Sequence, residues 1–432
     1  MKKRFIFILC GLFLCAGTIA ATDYNVLQQG VVGDGKTLNT QSLQSAIDAL
    51  HAKGGGQLYF PAGRYLTGSL QLKSNVTLYL EKEAMLLGST SPYDYPGFST
   101  EKELKVNNDH FDQALIYAEE AENIGITGEG CIDGQGRELV LTIDSLHHTG
   151  ELVDKHYNTY RKRPNTRPKL LFMRNCRKVE LRKTNFRSGA AWGLSFSLCV
   201  DLTIDSLHVE NRAYWNNDGI DISDCKDVRI SNCFINSADD GICLKSHNRG
   251  AWNDRVSISN CHIISSASAI KFGTESLGGF KNVTIDNIRI KDTFRSAIAI
   301  ESVDGAEIEN VKLENIEIVY PGRATRGMAY MSVSRLKDVP ENEKGYPEFT
   351  MFEELPSWGF YVRHVKGIQM HNVKLRLQED DFRPAFLFDR VSDVRLSDIS
   401  LPENKKAGQV VLRQTSLQSA DNAVKEYVRE VE

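Results

Sequence analysis

A short motif that returns every 27 or 28 residues limits what this chain can fold into. Val228-Arg-Ile230-Ser-Asn232-Cys-Phe-Ile235 comes back as Val256-Ser-Ile258-Ser-Asn260-Cys-His-Ile263, then as Val283-Thr-Ile285-Asp-Asn287-Ile-Arg-Ile290 and Val311-Lys-Leu313-Glu-Asn315-Ile-Glu-Ile318. Weaker copies begin at Val179 and Leu202 before the run and at Ile368 and Val394 after it. Each copy alternates apolar and polar residues, turns at Asn, and resumes with an apolar residue. A period of two marks a short strand with one buried face. Asn tolerates the left-handed backbone that a tight turn needs, and stacked Asn amides can form a hydrogen-bonded ladder. Short strands in coils of 22 to 28 residues, repeated many times, specify a parallel β-helix. Leucine-rich repeats would place Leu where these coils carry Val and Ile, and helical repeats would need a 3.6-residue period. The fold class is therefore all-β, a single-stranded right-handed parallel β-helix.

The chain has 432 residues, which as an ordinary globular protein would suggest two or three domains. A solenoid escapes that expectation because its core grows along one axis. An open end of the stack needs a cover, and the segment from Thr40 to His51 is predicted to be a helix that supplies it. Leu43, Ala46, Ile47 and Leu50 share one face of that helix, and Asn39 or Thr40 is placed to cap its start. The stretch from Ser419 to Glu430 reads as a short amphipathic helix at the far end. Two stretches break the repeat, 137–168 and 320–358, and are expected to leave the stack as walls around a binding face.

The first residues read as an address. Lys2, Lys3 and Arg4 precede an apolar run from Phe5 to Cys15 and a stretch of small residues ending at Ala21. This is the layout of a signal peptide, expected to occupy 1–21 and to leave 22–432 as one β-helix domain exported to the periplasm or beyond. The apolar run is too short to span a bilayer. Phe13 and Leu14 before Cys15 make lipid anchoring the weaker reading. Removing three cations from a formal charge of −4 leaves about −7, which excludes nucleic acid and acidic membrane surfaces as expected partners. Of nine cysteines, Cys10 and Cys15 belong to the leader; the remaining odd number lacks metal-ligand spacing and reads as buried thiols. No metal or cofactor is expected, and the chain is expected to be a monomer.

Stacking turns sequence offsets into neighbours. Ile220, Ile242, Ile270 and Ile298 are separated by 22, 28 and 28 residues, so equal offsets from them should form columns. Two positions back the column reads Asp218, Asp240, Ser268 and Ser296; three back it reads Asn217, Asp239, Ala267 and Arg295. One position forward it reads Asp221, Cys243, Lys271 and Ala299; three forward it reads Ser223, Lys245, Gly273 and Glu301. Asp218, Asp239 and Asp240 are thus expected to converge, with Asp221, Lys245 and Lys271 around them. Three crowded carboxyls raise one another's affinity for protons. Glycoside hydrolysis uses that division, one protonated carboxyl for the leaving oxygen and an ionised one for water. An exposed Asn-Asn-Asp-Gly turn would explain residues 216–219 alone, but not an Asp-Asp pair one coil away. Trp215 and Trp252 are candidate sugar platforms, ahead of Trp192, and Asn216, His247 and Arg249 are candidate substrate contacts.

At these residues the chain resembles glycoside hydrolase family 28, the polygalacturonase and rhamnogalacturonan hydrolase group. Asn216-Asn-Asp218-Gly-Ile-Asp221 followed by Ala238-Asp239-Asp240-Gly is similar to the family's Asn-Thr-Asp and Gly-Asp-Asp motifs at matching spacing. The resemblance implies an inverting hydrolase in which Asp239 is the general acid and Asp218 and Asp240 hold the attacking water. Two departures stand out. The family's Gly-His-Gly position holds Ala267-Ser268-Ala269, and its Arg-Ile-Lys position holds Ala299-Ile300-Glu301, without the cations that grip a galacturonate carboxylate. Lys271 is the candidate replacement cation. A divergent member acting on a pectic or related polysaccharide or oligosaccharide is expected. A β-helix lyase using Ca²⁺ and Lys271, and a non-catalytic carbohydrate-binding β-helix, remain as alternatives.

Overall fold

The computed structural model describes residues 22–95, 114–151, 167–302, 306–325, 333–338, 355–402 and 408–432. Residues 1–21, expected to be a leader, lie outside the described residues, as does most of the second break in the repeat. Among the described residues no helix is long and apolar enough to cross a membrane.

The repeat motif forms strands in register. Val228, Val256, Val283 and Val311 lie side by side, and so do Ile230, Ile258, Ile285 and Leu313, all in parallel pairing. The weaker copies join the same columns, Val179 beside Leu202, Leu202 beside Val228, Val311 beside Ile368 and Ile368 beside Val394. β-Branched residues suit this position because two of them pack face to face on each pleat. The described strands make a 12-stranded and a 19-stranded parallel sheet wrapped around one apolar core.

At the corner inside each long strand sits the repeat's Asn. Asn232, Asn260, Asn287, Asn315 and Asn372 all adopt the left-handed region, with φ between 51° and 57°. Their amides hand hydrogen bonds from rung to rung: Asn260 donates to Asn232 at 3.2 Å, Asn287 to Asn260 at 2.8 Å, and Asn372 to Asn315 at 2.7 Å. The ladder skips at one rung, where Asn315 donates instead to Asp286 at 2.8 Å. The Asn column is therefore structural.

Helix α1 (Thr40–Ala52) covers the first coil with Leu43, Ala46, Ile47 and Leu50 buried, as its periodicity implied. Asn39 precedes it but gives no side-chain cap to the helix. Its amide is engaged instead with Val32, accepting from the N–H at 2.8 Å and donating to the carbonyl at 2.9 Å. The C-terminal expectation is corrected more fully. Only Asn422–Lys425 is helical, while Leu417–Ala420 and Val428–Val431 extend the two sheets by another rung. Backbone groups on the preceding strands of those sheets offer more hydrogen bonds than one free amphipathic turn.

Within the first break, helix α2 (Gly136–Thr149) leaves the stack and buries Leu139, Val140 and Ile143. His156 and residues 152–166 lie outside the described residues. Of the second break, Leu336 and Leu355 are described. They pack on the outward face of Ala299, Tyr361, Leu387 and Val411. The cysteines among the described residues are all free, and six of the seven are buried.

The Asn ladder makes a stability prediction. Asn287→Ala removes a ladder bond and forces Ala into the left-handed region, so it should cost about 1–2 kcal/mol in urea unfolding. Asn287→Gly should lose less, because Gly takes that backbone freely.

Candidate active site

The register at the 12-stranded sheet runs Ile220, Ile242, Ile270 and Ile298, with Asp221, Cys243, Lys271 and Ala299 as the outward column beside it. The two Asp-Gly pairs lie just before those strands. A Cβ on Gly219 would meet the carbonyl of Gly241 at 2.4 Å, and one on Gly241 would meet that of Ala269 at 2.5 Å. Only glycine lets the turns stack this closely. Because they do, carboxyl oxygens of Asp218 and Asp240 and the sulfur of Cys243 lie within 4.8 Å of one another.

Two ammonium groups stand beside the acids. Lys245 Nζ donates to Asp221 at 2.5 Å and to Asp218 at 3.2 Å, and it sits 3.6 Å above the ring of Trp192. Lys271 Nζ is 3.7 Å from Asp240. Asp239 forms no such pair among the described residues. Its side chain accepts from the Asp240 N–H at 3.1 Å, and its carbonyl accepts 2.7 Å bonds from both Ser237 and Ser265.

Burial raises the Asp218 carboxyl to about 8, against the pull of Lys245 and with a push from Asp221 and Asp240. Burial likewise raises Asp239 to about 7, helped by Asp218 and Asp240. Two carboxyls that titrate near neutrality in one patch share protons as a unit. The ammonium 3.2 Å from Asp218 favours its ionised form. The pair therefore holds at least one proton near neutrality, with Asp218 beside an ammonium and Asp239 forming no ion pair among the described residues.

Several residues that hold this arrangement were not singled out in the sequence. Asn217, whose side chain is fully buried, donates to the carbonyls of Gly189 at 2.9 Å and Ala191 at 2.6 Å. Asn211 donates to the Asp218 carbonyl at 2.8 Å. Arg167 binds the carbonyl of Trp215 at 2.6 Å and the side chain of Asn216 at 3.0 Å. The column containing Asn217 and Asp239 carried a signal for the first; nothing local marks Asn211 or Arg167.

Asp218, Asp239, Asp240, Asp221, Lys245 and Lys271 are thus brought together. The other candidates are not. Asn216 braces the turn through Arg167 in a left-handed conformation, φ 55°. Trp215 is 58% exposed. Trp252 lies over Gly279 and 4.8 Å from Lys281, while Trp192 lies against the acid shell with Lys245 over its ring. His247 faces Ser223 and Glu275, and Arg249 lies in an exposed turn. The column from Lys245 through Gly273 to Glu301 is also corrected. The register shifts between Leu244 and Ser246, whose partners Phe272 and Ser276 are four positions apart rather than two. Gly273, Thr274 and Glu275 bulge there.

The stacked parallel coils define a right-handed parallel β-helix like that of solved polygalacturonases, with a carboxyl patch on its outward face. The chain belongs to glycosyl hydrolases family 28, whose model matches residues 56–326. A probable polygalacturonase of Vitis vinifera is 30% identical over 302 residues, covering 65% of this chain and 55% of that protein. The chain spans about half the length of the curated relatives it matches. An exopolygalacturonase from Thermotoga maritima shares the fold with a TM-score of 0.58 at 20% identity, covering 92% of this chain and 88% of that one. A surface adhesin of Streptococcus pneumoniae, PfbA, shares it with a TM-score of 0.57 at 16% identity, covering 91% and 89%. The fold alone therefore does not choose between hydrolysis and adhesion.

Glu301 supplies a pH prediction. It is fully buried, in register with Arg363, and neither carboxyl oxygen has a hydrogen-bond partner among the described residues. Burial raises it from 4.5 to about 8, with Lys271 and Arg363 opposing. The folded state therefore holds this proton more tightly than the unfolded chain does. The stability it contributes is present below the unfolded value and is lost as pH rises through about 8. Glu301→Gln should melt higher than wild type at about pH 9, with the difference vanishing near pH 4, read by thermal scans.

Proposed function

We propose that this chain hydrolyses glycosidic bonds of a pectic or related polysaccharide or oligosaccharide with inversion at the anomeric carbon. The observation that carries this reading is the patch itself, three carboxyls from adjacent rungs with unlike cation environments. Asp239, protonated and without an ammonium partner, gives its proton to the leaving oxygen. Asp218 and Asp240, each beside a lysine and with oxygens within 4.8 Å of one another, grip one water between them and take its proton. Two hydrogen bonds of about 2.7 Å span such a gap. Lys245 and Lys271 stand beside the pair and offset the negative charge gathered there, a role distinct from gripping a uronate carboxylate.

The donor set speaks against the Ca²⁺ lyase alternative. Ca²⁺ wants six or more oxygens, whereas this patch offers a thiol and two carboxylates that already face ammonium groups. The binding-only alternative has the adhesin's fold on its side and is separated by turnover.

The test is a screen against defined pectic and related oligosaccharides, with product anomers read by NMR. Wild type should release the inverted anomer first. Asp239→Asn should lower kcat by about 10²–10⁴-fold while leaving substrate binding. Binding by both proteins with no turnover by either would make the chain a lectin-like β-helix. The rate should fall on the alkaline side as pH passes about 7 to 8, the range in which the cluster gives up its shared proton.

A further inference from the structure

Beside the acid patch, toward the C-terminal ends of the strands that follow it, three side chains that the glycosidic chemistry does not use are aligned in a way that serves another reaction. Ser223 ends the strand Ile220–Ser223 and lies in register with Lys245 on the next rung. His247 Nε2 is 3.2 Å from Ser223 Oγ. The other ring nitrogen, Nδ1, is paired with the carboxylate of Glu275. The order is hydroxyl, Nε2, Nδ1, carboxylate, which is the arrangement that activates serine in acyl transfer wherever it arises, whatever the fold.

The surrounding chain is built to hold it. The His247 N–H donates to Asp224 at 3.0 Å, and Asp224 also accepts from Asn248 N–H at 3.1 Å and Ser246 Oγ at 2.5 Å, so the histidine's backbone is pinned. Glu275 reaches Nδ1 only because the bulge at Gly273–Glu275 interrupts the column. Its φ is 147°, a backbone that costs a non-glycine residue energy. Its carboxylate is ion-paired with that ring, and neither it nor Nδ1 makes a hydrogen bond among the described residues. Strain kept for a single contact is the mark of a working residue more than of a packing one.

We propose that Ser223, His247 and Glu275 form a second active centre that hydrolyses small carboxylic esters. His247 Nε2 takes the hydroxyl proton as Ser223 Oγ bonds to the ester carbonyl carbon. The tetrahedral oxyanion then collapses, the C–O bond to the alcohol breaks, and the departing oxygen takes the proton from Nε2. Water, deprotonated by the same nitrogen, attacks the acyl-serine, releasing the acid and restoring the hydroxyl. Ser223 and His247 are only 5% and 8% exposed, so the acyl group must be small, as an acetyl group is. That the ester is carried on a sugar rests on the glycosidase reading; the ester chemistry does not.

The test uses the full chain, a fluorophosphonate probe and 4-nitrophenyl acetate. The probe should label Ser223 in a peptide map, and ester turnover should fall at least about 100-fold in Ser223→Ala and in His247→Gln. Asp239→Asn should lose glycoside hydrolysis yet keep labelling and ester turnover, which separates this proposal from the other. A melting curve for each variant shows that it is folded, and Glu275→Gln supplies a milder lesion should Ser223→Ala fail to fold. No labelling of folded wild type, labelling elsewhere, or turnover unchanged in folded Ser223→Ala or Glu275→Gln overturns the proposal. So does acetylated oligogalacturonide that is left intact while 4-nitrophenyl acetate is cleaved equally by every variant.

Discussion

Parallel pairing in register is the constraint on which everything else here depends. Each rung must satisfy its neighbours' N–H and C=O groups, so a residue's companions are those at the same offset one coil away. Apolar columns inside the stack pay the ordering cost of the chain, and whatever polar residues share an outward offset are forced together whether or not they attract one another. Asp218 and Asp240 are neighbours for the same reason that Ile220 and Ile242 are.

That enforced proximity sets the electrostatics. Carboxyls held close and out of water resist ionising together. Lys245 and Lys271, from the strands that follow, neutralise two of the three. Two acids are ion-paired and the third is not, and that asymmetry is what the proposed division into proton donor and base rests on. Past the bulge a separate column runs Glu301, Arg363, Asp389 and Arg413, where alternating signs on successive rungs let charges be buried that would otherwise be intolerable.

Much of this was legible in the sequence because a solenoid reduces tertiary contact to counting. The coil lengths placed the three aspartates, Asp221 and both lysines in one region, and the Asn turns and α1 followed from local patterning. Counting failed where the coil departs from its period. The bulge after Phe272 moved Glu275 next to His247 and took Gly273 out of the column, and nothing in the sequence distinguishes a bulged strand from a regular one of the same length. It failed also for Arg167 and Asn211, which act across coils on backbone carbonyls and so leave no periodic trace. The C-terminal stretch was misread as a helix because its amphipathic pattern competes with sheet edges that exist only once the stack is built.

The acid patch is divided between two consecutive coils, with Asp218 on one and Asp239 and Asp240 on the next, and no single coil carries a complete set. Coils touch only their immediate neighbours, so a solenoid under load or heat parts at one seam while the remainder stays zipped. A parting between these two coils would disarm the chain while nearly all of its strands remained paired. Catalytic competence would then report on the integrity of one seam, a quantity to which bulk measures of β-structure are blind.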